Sequence, residues 1–137
     1  MMPTRRNSFP KSQRLCSKKQ LEELFANGER PLYAFPIRLI SLCKQFPATE
    51  PRVQVLVSVS KRRFKHAVDR NRAKRQLRES WRKNRDILFQ VLPESLADDQ
   101  GLRIAFIWMA DEPQSTALVE RKMRSLLHRL AEQLCAS

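Results

Sequence analysis

The clearest alternation of apolar and polar positions runs from Arg52 to Ser60. Val53, Val55, Val57 and Val59 point to one face, and Gln54, Leu56, Ser58 and Ser60 to the other. The valine face predicts a core face. The second face is too polar for a second full core, so it is expected to meet water or a ligand. The run Tyr33 to Cys43 is strand-like, with Pro36 marking an edge or bulge. Phe46 to Pro51 holds two prolines and reads as a turn. Leu102 to Met109 is nearly all apolar, which predicts a central strand.

Helical spacing appears in three places. Ser17 and Gln20 have capping-box spacing, Leu21, Leu24 and Phe25 follow at i, i+3 and i+4, and Gly28 is a stop signal. The pattern predicts a helix over 18–27, too short to persist unless it docks. A longer helix is expected from about Asp69 to Leu92, with Pro93 as its terminator. The last begins near Ser115 or Thr116 and runs to about Leu134, with Val119, Met123, Leu126, Leu127, Leu130 and Leu134 as one apolar stripe. Residues 1–14 are polar and basic with two prolines, an extended arm. The order of elements gives a mixed sheet of three to four strands with three helices, α/β or α+β.

Composition narrows the possibilities. The 137 residues, 42% of them hydrophobic, make one domain of ordinary size over 1–137. No apolar stretch approaches the roughly 18–20 residues of a membrane span. The first nineteen residues lack the apolar segment of a secretory signal. Only two glycines occur, which excludes the Gly-rich phosphate loops. Cys16, Cys43 and Cys135 are odd in number and lack metal-ligand spacing, so a reducing compartment, the cytoplasm, is expected, with the cysteines as small apolar fillers.

Charge changes the picture more. The net charge of +13 is unevenly spread. Residues 1–19 carry six bases and no acid, and residues 61–85 carry twelve bases against Asp69 and Glu79. Residues 20–60 are neutral, and residues 86–137 carry five bases and eight acids. Positive charge concentrated in this way attracts a polyanion, and it repels itself until a partner neutralises it.

On a helix turning about 100° per residue, Arg70, Lys74, Arg85, Arg78, Asn71, Arg82 and Arg75 fall on one flank, with Ala73, Leu77, Ser80, Trp81 and Leu88 on another. The expected helix buries the second set and displays a stripe of guanidinium groups, whose planar forks suit phosphate oxygens. Asp69 is placed to cap the helix start. Lys61, Arg62, Arg63 and Lys65 extend the patch into the preceding loop, where Phe64 either stacks a base or anchors the loop in the core. No catalytic constellation emerges. His66 and His128 stand apart, and Asp98-Asp99 reads as a turn rather than a metal site.

The strings Val57-Ser-Val-Ser-Lys61 and Ala67-Val-Asp-Arg-Asn-Arg-Ala-Lys-Arg-Gln-Leu-Arg-Glu79 resemble the signature of the bacterial ribonuclease P protein subunit family. Phe9-Pro-Lys-Ser-Gln-Arg-Leu15, the helix ending before Gly28 and the chain length fit as well, so the resemblance covers about residues 9–134. It implies an α+β sandwich with a left-handed β-α-β crossover, opposite to the general rule. It implies an endoribonuclease that is a ribonucleoprotein: a catalytic RNA, with Mg²⁺ bound mainly by that RNA, removes the 5′ leader of precursor tRNA, and the protein supplies no catalytic residue. The partners implied are the catalytic RNA subunit and precursor tRNA, with no membrane and no obligate protein partner. Position by position, Lys61, Arg62, Arg70, Asn71, Arg72, Lys74, Arg75 and Arg78 would contact RNA. Leu21, Phe25, Arg38 and Ser58 would line a cleft for the leader. Leu21 and Arg38 stand where the family usually has aromatic residues, and the Arg62 to His66 segment is longer and lacks a glycine.

Three other classes compete, of which a membrane-surface helix fits worst, because the apolar face carries core-like Trp81 and Leu77 in a chain with strands. A structural ribosomal-type RNA-binding protein would share the charge but needs no open polar sheet face beside an aromatic helix. A DNA-binding regulator would present two short helices joined by a tight turn, whereas this basic helix is long and follows a strand.

Overall fold

The computed structural model describes residues 18–28, 30–45, 51–95 and 100–136. The expected arm at 1–14, Cys16, most of the turn at 46–51 and the Asp98-Asp99 pair lie outside the described residues. The elements are α1 (Lys18–Asn27), β1 (Leu32–Ala34), β2 (Ile37–Gln45), β3 (Val53–Ser58), α2 (Ala67–Asn84), α3 (Asp86–Phe89), α4 (Leu92–Ser95), β4 (Gln100–Trp108) and α5 (Thr116–Ala136).

Four strands form one sheet in the order β1-β2-β4-β3. β4 pairs antiparallel with β2 and parallel with β3, so the sheet is mixed and the apolar strand is central, as its composition requires. β3 and β4 are neighbours joined through α2, a β-α-β unit.

One face of the sheet carries Ile37, Leu39, Val53, Val55, Leu102, Ile104, Phe106 and Trp108, packed against Ala73, Leu77 and Trp81 of α2 and the Val119 to Leu130 stripe of α5. The other face has a smaller cluster, in which Leu24 of α1 meets Ile40, Leu42 and Ala105, with Leu56 and Ile107 at its margin. Among the described residues, helices α2 and α5 cover one side and α1 partly covers the other. The alternation of β3 holds for the valines. Its second face is not simply wet, because Gln54 is buried and Leu56 packs under α1.

Four readings from the sequence are corrected. Pro36 marks no bulge: Phe35-Pro36, joined by a cis peptide bond, is the turn of a hairpin in which Ala34 pairs with Ile37. The long basic helix stops at Asn84, and two single-turn helices follow it. Pro93 falls in the first turn of α4, where a missing N–H costs nothing, rather than ending a helix. Asp69 lies inside the first turn of α2, and His66 takes the N-cap position without a side-chain cap bond. The predicted start of α5 holds, since the Ser115 hydroxyl accepts the Leu118 N–H at 3.1 Å. Cys43 packs against the core as a filler, whereas Cys135 is exposed.

Candidate nucleic-acid interface

Helix α2 sits over β3 and packs sideways on α5. Its Gln76 is buried on the α5 side, where Nε2 donates to the Gln114 carbonyl at 2.9 Å and to Thr116 Oγ1 at 3.1 Å. The opposite flank, carrying Arg70, Asn71, Lys74, Arg75 and Arg78, therefore lies at the β3 edge of the molecule. Ala73, Leu77 and Trp81 anchor the helix from below, each within 2% of full burial.

Asn71, Arg72 and Arg75 are exposed, as are Lys61 and Arg62 in the preceding loop. Lys74 and Arg78 are half-buried. Arg72 is more than 90° around the helix from the Arg70–Lys74 row, toward α5, at about 100° per residue. Arg70 has an internal duty: its Nη1 donates to the Phe64 carbonyl at 2.9 Å and toward that of Lys65 at 3.3 Å, tying the loop to the helix. Phe64 resolves the two readings of that residue in favour of the core, buried beside Trp108 with ring centroids 6.3 Å apart. Arg63 pairs with Asp111 at 2.9 Å. Arg82 pairs with Glu79 at 2.7 Å. That hydrogen bond holds the Glu79 carboxyl below its ordinary value and raises Arg82, against the opposing effect of burial. Arg85, which the helical wheel put on the stripe, is buried at the junction of α2 and α3; its guanidinium lies 5.8 Å from the Phe89 ring centroid, and burial lowers its pKa.

The expected cleft residues converge on the α1 side of the sheet. The strand pairings align Tyr33 with Arg38, Arg38 with Ile107, and Ile107 with Ser58, one transverse row across all four strands. Phe25 of α1 hangs over this row. The Arg38 guanidinium lies 5.7 Å from the centroid of the Phe25 ring and 5.7 Å from that of Tyr33. Both rings stay half in solvent, at 51% and 56% exposure. Leu21 belongs to α1, but its side chain lies outside the described residues. Tyr33 was not identified from sequence. The signal that could have found it is the two-residue turn at Phe35-Pro36, which sets Tyr33 opposite Arg38.

The row opens into a cavity of about 440 Å³ at the ends of β3 and β4, lined by Arg38, Ser60, Arg62, Arg63, Ile107, Trp108, Met109 and Asp111. Arg38 and Arg62 thus join the aromatic cleft to the basic loop. Among the described residues no group of three or more His, Cys, Asp or Glu is placed to hold a metal ion. No helix among them is long and apolar enough to cross a membrane.

The fold and the site define a class: a small α/β protein that offers a polyanion a cationic helix flank and an aromatic-lined sheet face. Residues 9–131 match the profile of the family described as Ribonuclease P. The ribonuclease P protein component of Porphyromonas gingivalis is 35% identical over 130 residues, 93% of this chain and 89% of that protein. That of Chlorobium phaeobacteroides is 31% identical over 132 residues, covering 90% and 88%. The solved RNase P protein of Staphylococcus aureus superposes with a TM-score of 0.64 at 18% identity, over 86% of this chain and 94% of that one. That of Thermotoga maritima gives 0.58 at 21% identity, over 85% and 96%. The chain belongs to the ribonuclease P protein family. It is accordingly part of an endoribonuclease ribonucleoprotein of tRNA processing, and its partner is RNA.

Proposed function

We propose that the α2 flank and the Lys61-Arg62 loop bind the catalytic RNA subunit, and that the cleft between α1 and the sheet holds the 5′ leader of precursor tRNA. Asn71, Arg72, Lys74, Arg75 and Arg78 grip the RNA backbone, with Arg70 fixing the loop geometry as well. Phe25, Tyr33 and Arg38 supply stacking surfaces for single-stranded nucleotides, and Ser58 a hydroxyl at the cleft floor. The observation that carries this reading is the continuity of the two surfaces through Arg38 and Arg62. One RNA strand can leave the aromatic row and meet phosphate-binding cations without crossing an acidic surface other than Asp111.

The division of labour follows from what each partner offers. The proposal assigns Mg²⁺ to the RNA, whose phosphate oxygens are the hard ligands this ion prefers. The protein screens phosphate repulsion and raises the local concentration of substrate, in the cytoplasm.

The test compares precursor tRNA with mature tRNA for binding to the protein assembled with its catalytic RNA. The precursor is expected to bind more tightly, and Phe25→Ala to weaken the precursor several-fold more than the mature form. Equal affinity for both RNAs would overturn the cleft assignment and favour a purely structural RNA-binding role.

A further inference from the structure

Most half-buried or buried arginines of this protein are already engaged. Arg63 holds Asp111, Arg70 holds loop carbonyls, Arg82 holds Glu79, and Arg103 donates to the Pro51 and Arg52 carbonyls. Arg38 differs. Among the described residues its side chain makes no hydrogen bond and no ion pair, and its Nε is out of water without an acceptor. Its guanidinium carbon lies 5.7 Å from the centroids of both the Phe25 and the Tyr33 rings. A guanidinium whose Nε is buried without an acceptor, beside two half-exposed rings, is organised for an acceptor from outside.

We propose that Arg38 is the specificity-determining residue of the cleft and that it selects a guanine base in the single-stranded leader. This rests on the cleft holding the leader. A guanidinium presents a planar fork, which is satisfied by two adjacent acceptors in one plane. Guanine offers N7 and O6 in that arrangement, while adenine pairs N7 with a donor. Cytosine also has adjacent acceptors, but its smaller ring covers less of the apolar wall made by Ile107 and Met109. A phosphate is the weaker fit at this place, because the exposed Arg62 and Lys61 already serve that chemistry at the wet end of the cavity. The cavity of about 440 Å³ beside Arg38 has room for a purine nucleotide.

The experiment uses the holoenzyme and precursor tRNAs whose leaders carry each of the four nucleotides at each position in turn. The readout is relative kcat/KM from mixtures of precursors competing in one reaction. One leader position is expected to favour guanine by about tenfold, the size of a good bidentate contact. Arg38→Lys, which keeps the charge and loses the fork, is expected to abolish that preference, and Arg38→Gln to do the same. 7-Deazaguanine at the preferred position, lacking the N7 acceptor, is expected to behave as adenine does. A leader-dependent enzyme that shows no guanine preference, or keeps it with Arg38→Lys, overturns the proposal and leaves the cleft reading standing. A uniform loss across all four nucleotides with Arg38→Gln marks a phosphate contact instead and also overturns it. Leader-independent cleavage overturns both readings.

Discussion

Gly28 sits where α1 meets β2, and the approach is too close for a side chain. A Cβ there would press on the Leu24 carbonyl oxygen, lie 2.8 Å from Ile40 Cγ2 and 3.0 Å from the Ser41 carbonyl oxygen. Two of these are backbone atoms and cannot swing aside. Gly28→Ala is expected to push α1 off the sheet, lowering stability by about 1–3 kcal/mol, measured as a lower urea midpoint. Because α1 carries Phe25, the same variant should lose discrimination for the leader. Glu79 makes a pH-dependent prediction. Its carboxyl is held below the ordinary value of 4.5, chiefly by the hydrogen bond from Arg82. The resulting stabilisation is present above the unfolded-state pKa and is lost as pH falls through the lower folded-state value. Glu79→Gln should therefore be slightly less stable than the parent at pH 7, and the two should converge in urea titrations at acid pH. Partial exposure of the pair keeps the difference small.

At the scale of elements, most of the helical pattern was legible because burial follows the 3.6-residue period. Ala73, Leu77, Ser80, Trp81 and Leu88 are buried as that period requires. The break after Asn84 was not legible. Arg85 and Asp86 are ordinary helix residues, and the bend serves tertiary contacts: Phe89 meets Trp81 edge-on at 5.8 Å, and Leu88 and Leu92 enter the core. The Tyr33–Arg38 pairing was hidden for a similar reason, since one proline admits either a bulge or a turn and only the partner strand decides. The site was legible in its residue types, but which cations were engaged internally was not. Asp111 is 48 residues from Arg63 in sequence. The exposed cations of α2 give the cleanest measurement. Arg72→Gln with Arg75→Gln should weaken binding of the catalytic RNA and reduce the slope of log K against log salt by roughly 1.5, at about 0.7–0.9 per lost phosphate contact. An unchanged slope would remove this flank from the interface. Arg70 is a poorer choice, because its loss also frees the loop.

At the scale of the molecule, the two sides of the sheet have separate duties. The side under α2 and α5 holds the main core, and the side under α1 leaves the Phe25 and Tyr33 rings half exposed. This asymmetry lets residues such as Phe25 and Tyr33 change with little effect on the fold, while on the function proposed above the signature helix must satisfy the core below and the polyanion outside at once. The placement of α2 over the outermost strand has one more effect. β3 is an outer strand of the sheet formed by the described residues, and an outer strand is the kind of template on which another chain can add a strand. The guanidinium flank overhangs that edge, so two copies approaching edge to edge meet repulsion before they meet hydrogen bonds. Charge beside an outer strand blunts such pairing, so variants that remove it are expected to raise self-association of the free protein, read by light scattering.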